Sequence, residues 1–128
     1  MIKDGPAATF KSFRPFGPTI GVIKLNDFVV NKFLQLTDEI LSDDKRKSWG
    51  HHLAGQIIEE PYISNDALVK YDLYDFLNDI QKKYVESVTS IEHAKTVETK
   101  ITNAWIVSQY ENEYNPLHWH ESCTISAV

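Results

Sequence analysis

The apolar residues of this chain change their spacing at about Lys100, and that change limits the folds open to it. Before it, Phe28, Val29, Phe33, Leu34, Leu36, Ile40 and Leu41 recur at helical intervals. They predict an amphipathic helix that starts at the N-capping pair Asn26-Asp27 and runs to about Ser42. Leu68, Val69, Tyr71, Leu73, Phe76, Leu77, Ile80, Tyr84 and Val85 predict a second helix, capped by Ser64, Asn65 or Asp66. Its apolar surface is two faces wide, which suits a helix lying on a sheet. From Lys100 the period becomes two: Ile101, Asn103, Trp105, Val107 and Gln109 alternate with Thr102, Ala104, Ile106, Ser108 and Tyr110. Both periods in one chain mean an α+β protein.

The other segments fit around these. Residues 1–19 carry Gly5, Pro6, Pro15, Gly17 and Pro18 and read as an irregular arm. Ile20 to Leu25 is a short β-rich run. DDKRKSWGHH is a charged loop, and Leu53 to Ile63 reads as a strand interrupted near Pro61. ENEYNP is a polar turn, after which His118 to Val128 alternates again. At 128 residues the chain is one domain, 1–128, able to bury a modest core.

Charge and cysteine usage exclude several classes. Thirteen Lys plus Arg against eighteen Asp plus Glu give a net charge of −5, the wrong sign for a nucleic-acid binder. No apolar run reaches the roughly 18 residues of a membrane span. Cys123 is the single cysteine, so no internal disulfide forms and a reducing, cytoplasmic setting is expected, with the thiol buried and inert. There is no GxGxxG, no GxxxxGK[ST], no GxSxG and no zinc-finger spacing.

His118 and His120 carry the sharpest chemical signal. At i and i+2 of a strand both imidazoles point to one face, where they can share a transition metal; otherwise both are surface residues beside Tyr114 and Trp119. On the preceding strand Asn103, Trp105 and Gln109 share a face and form candidate walls of a ligand pocket. The alternatives are core packing for Trp105 and solvent exposure for Asn103 and Gln109. His51 and His52, adjacent in sequence, diverge on any regular element and read as loop residues, and His93 reads as exposed.

The run Ala104-Trp105-Ile106-Val107, Gln109-Tyr110, Asn112 to Pro116, His118-Trp119-His120 and Ile125-Ser126 resembles a family of 2-oxoglutarate/Fe(II) oxygenases. That family is widespread in phages and marine bacteria and related to the prolyl 4-hydroxylase type. FGPTIG (Phe16 to Gly21) and LAGQ (Leu53 to Gln56) look like further landmarks of the same proteins. The resemblance implies a partial double-stranded β-helix (a jelly roll) with the two amphipathic helices packed on its outside. It implies Fe(II) on His118 and His120, 2-oxoglutarate as co-substrate near Asn103, Trp105 and Gln109, and hydroxylation of a substrate it does not identify.

Two positions depart from the family pattern. His120 stands where most relatives carry Asp, so iron would sit on a three-histidine site or one of the pair would lie behind it. Ala127 stands where Gly is usual. The family's distal His and its carboxylate-gripping basic residue fall beyond the residues present. The expectation is therefore an inactive fragment cut inside the first metal-bearing strand, marginal or homo-oligomeric in isolation. A non-catalytic β-sandwich binding module and a cupin-type metal enzyme are the competing readings.

Overall fold

Asparagine, serine and proline set most of the element boundaries in this chain, and the elements then pack chiefly helix against helix. The computed structural model describes residues 8–48, 57, 59–116, 118 and 120–128. Among them are two strands, β1 (Ala8–Phe13) and β2 (Ile20–Leu25), and four helices: α1 (Asp27–Ser42), α2 (Asn65–Lys70), α3 (Tyr74–Val88) and α4 (Ile91–Thr96).

Residues 8–13 correct the expectation of an irregular arm. They pair antiparallel with β2 in a register running from Ala8 opposite Leu25 to Phe13 opposite Ile20. Pro15, Gly17 and Pro18 confine the irregular backbone to the connection between the strands, where no ladder hydrogen bond is lost. The hairpin rests on α3, whose Tyr84 hydroxyl donates to the Thr19 carbonyl at 2.7 Å. Gly21 makes this approach possible: a Cβ there would lie 2.8 Å from the Phe10 ring and 3.2 Å from that of Tyr84.

Helix α1 starts and stops where its sequence predicts. The Asn26 side chain accepts from the Val29 N–H at 3.0 Å, satisfying a first-turn donor. Its inward face buries Val29 and Leu36. The second predicted helix is broken. Ser64 caps α2 through the Ala67 N–H, but Asp72 turns left-handed at φ 55° and α3 begins afresh at Tyr74. Aspartate tolerates that region better than most residues. The turn lets Leu68 and Leu73 both reach full burial, at 1% exposure each. Ser90 caps the short helix α4, which the sequence pattern did not predict, and Ala94 is its buried residue.

The core joins Val29 and Leu36 of α1 to Leu68, Leu73 and Ile101, with Phe33, Phe76 and Leu77 partly buried around them. No jelly roll or double-stranded β-helix is present among the described residues. Their sheet is the two-stranded β1–β2 hairpin, and the helices make the core instead of coating a barrel. Among the described residues, 100–110 pair with another segment only at the Tyr62–Trp105 bridge, and 118–128 turns at Glu121-Ser122, where Ser122 has φ 61°. Alternation prepares a segment for a sheet, but a strand forms only where a second backbone takes its hydrogen bonds. No described helix is long and apolar enough to cross a membrane.

Candidate functional site

Residues 59–63 run between two other extended segments, and this short three-segment layer positions the site. On one edge Glu60 N–H donates to Ser48 Oγ at 3.0 Å and Tyr62 N–H to the Lys47 carbonyl at 2.8 Å. On the other, Ile63 N–H donates to Ala104 O and Ile106 N–H to Pro61 O, both at 2.9 Å. Tyr62 therefore stands opposite Trp105 in antiparallel register. Continuing that register sets Glu60 opposite Val107, and side chains two residues apart share a face. Asn103, Trp105, Val107 and Glu60 thus belong to one side of the layer. That side lines a cavity of about 660 Å³, together with His118 and His120.

The two histidines reach the cavity from a segment that is not a strand. Their ring centroids lie 5.0 Å apart and edge to face, and Trp105 lies 5.6 Å from His120 at a 37° tilt. His118 Nδ1 contacts the Pro116 carbonyl at 2.8 Å. A carbonyl only accepts, so Nδ1 carries the proton and the Nε2 lone pair of the neutral ring is left for a ligand. Metal-binding histidines are commonly oriented in this way.

Glu59 and Glu60 differ sharply. The Glu59 carboxylate pairs with the Arg46 guanidinium at 2.5 Å, and that hydrogen bond holds its pKa below the ordinary value. Glu60 is 1% exposed and its carboxylate makes no hydrogen bond to a described residue. Burial raises its pKa, opposed by the positive charge that His118 can carry. The residue-type reading of the sequence passed over Glu60. Its signal is a carboxylate two residues before Tyr62 in a β-rich run, hence on the face Tyr62 shares with Trp105.

Of the five residues singled out from sequence, Asn103, Trp105, His118 and His120 line this cavity. Gln109 instead donates to the Glu113 carbonyl at 2.7 Å, within the turn that follows, and is not among the lining residues. Cys123 requires a correction. Its thiol is exposed, it sits against the His120 carbonyl at 3.7 Å and it lines the same cavity, because the Glu121-Ser122 turn folds it back. His93 is exposed on α4, as expected. His51, His52, the LAGQ segment and Trp119 lie outside the described residues.

The imidazole pair suits a transition metal as two of its donors. Among the described residues no group of three His, Cys, Asp or Glu is placed to hold a metal. Among the described lining residues there is no Lys or Arg to face the carboxylates of 2-oxoglutarate. A second concavity, of about 700 Å³, lies between α3 and residues 95–99. Asp75, Asp79 and Glu98 share its lining with Lys82 and Lys95, and the mixture favours neither sign of ligand. Comparison with family models, with curated proteins and with solved structures finds no match for this chain.

Proposed function

We propose that this chain carries the metal-binding pair of an Fe(II) oxygenase of the 2-oxoglutarate class, with His118 and His120 as protein donors. The observation that carries this reading is the His118 ring, oriented by the Pro116 carbonyl and placed 5.0 Å from His120. The motif run from Ala104 to Ser126 supports it further. Bound Fe(II) would supply open coordination positions for oxygen chemistry. The chain's own part is to hold both imidazoles toward one point, to fix the His118 proton on Nδ1 and to wall the cavity with Trp105 and Asn103. The single cysteine accords with a reducing, cytoplasmic setting.

Anaerobic titration with Fe(II) tests the pair. The chain should bind one equivalent, and His118→Ala should weaken binding by about tenfold or more. Unchanged affinity in that variant removes the metal assignment. Adding 2-oxoglutarate to the Fe(II)-loaded protein should then give a visible charge-transfer band; metal binding without that band retains the metal pair and removes the co-substrate class.

A further inference from the structure

Glu60 has no task in the metal-binding reading, yet it is the one charged residue buried among the described residues, at 1% exposure. Desolvating a carboxylate is costly unless a counter-charge or hydrogen-bond donors replace water. Its neighbour Glu59 has such a partner in Arg46, whereas Glu60 has only a backbone bond, from its N–H to Ser48. The cavity it lines adds no permanent described cation: His118 is the group whose charge can oppose its burial, and no Lys or Arg joins the acidic Glu60 and Glu121 there. Trp105 stands on the same face of the layer as Glu60, and its indole is the preferred aromatic surface for an organic cation.

We propose that this cavity binds an aliphatic ammonium group, with the Glu60 carboxylate as its counter-charge and the Trp105 ring as the surface it lies against. The proposal rests on reading the His118–His120 cavity as a substrate site, and it names the substrate class: a molecule or side chain ending in a primary or methylated amine. A charged donor answers a buried carboxylate better than a neutral one. A metal ion is the weaker occupant for Glu60, since no described trio of donors is placed to hold one. An aromatic wall, by contrast, attracts an alkylammonium.

The test uses the whole 128-residue chain. n-Butylammonium, n-butanol and butyrate are titrated separately, and the indole N–H resonance of Trp105, assigned with Trp105→Phe, is followed by NMR. Butylammonium should shift it saturably, while the isosteric alcohol and the acid should not. Glu60→Gln should weaken butylammonium binding about tenfold or more while leaving Mn(II) broadening of the His118 and His120 rings unchanged. Equal binding of butanol and butylammonium overturns the proposal, as does full affinity in Glu60→Gln. So does loss of Mn(II) binding in Glu60→Gln with the amine retained, because Glu60 would then serve the metal. Should that variant not fold, the three-ligand comparison on the wild-type chain decides. If the chain takes up butylammonium but no Mn(II), the ammonium site stands and the oxygenase reading fails.

Discussion

The helical part of this protein and its last thirty or so residues are stabilised in different ways. In α1 to α4 the backbone bonds close within each helix, and Val29, Leu36, Leu68 and Leu73 are buried together. In residues 100–128 Ile101 reaches the core and Ala104 packs against it, but beyond the Tyr62–Trp105 bridge the chain is mostly exposed. The candidate site lies across the boundary between the two. Glu60 and Trp105 are placed by the bridge, while His118 and His120 come from the loosely packed segment. Stability and ligand binding should therefore respond largely to different substitutions, with the buried Glu60 the position that affects both.

The sharpest contrast should come from Leu68→Ala. Truncating this fully buried side chain should cost about 2–5 kcal/mol in urea unfolding; a loss near zero would mean that α2 is not part of the core. Glu60→Gln should act in the opposite direction. Burial raises the folded-state pKa of Glu60 above its ordinary value of 4.5, so the folded state keeps a proton that the unfolded chain releases. Its contribution to stability is greatest below 4.5 and is lost as pH rises through the folded pKa. The Gln variant should thus be more stable than wild type at pH 7 and lose that advantage in acid. A gap that does not change with pH would show that Glu60 is solvated.

Asn26→Ala should cost about 1 kcal/mol by removing the α1 cap, read as a lower unfolding midpoint at unchanged denaturant dependence. The smallest effect belongs to the other region. Val107→Ala, at a position 47% exposed, should change stability by less than about 0.5 kcal/mol. A loss as large as that of Leu68→Ala would erase the distinction between the regions.

Parts of the site are legible in the amino-acid sequence. The i, i+2 spacing of His118 and His120 and the shared parity of Asn103 and Trp105 point to four residues that do meet at one cavity. Gln109 has the same parity, yet the Tyr110–Glu113 turn takes it elsewhere, since strand parity stops predicting neighbours where the extended backbone ends. Cys123 fails for the same reason. Glu60 is not legible, because its importance comes from burial, and burial depends on segments 47–48 and 104–106 closing around it.

Sequence alone determined the elements whose stabilising partners are close along the chain. Asn26 caps α1 three residues before the amide it accepts from, Ser64 does the same for α2, and helical bonds span four residues. Only the tertiary structure decided that residues 8–13 are a strand, that the second helix breaks at Asp72 and that the alternating C-terminal run forms no ladder among the described residues. It also decided that a buried carboxylate meets Trp105 and two histidines at one cavity. Those outcomes depend on partners dozens of residues away, whose approach is set by how the whole chain excludes water and satisfies its backbone.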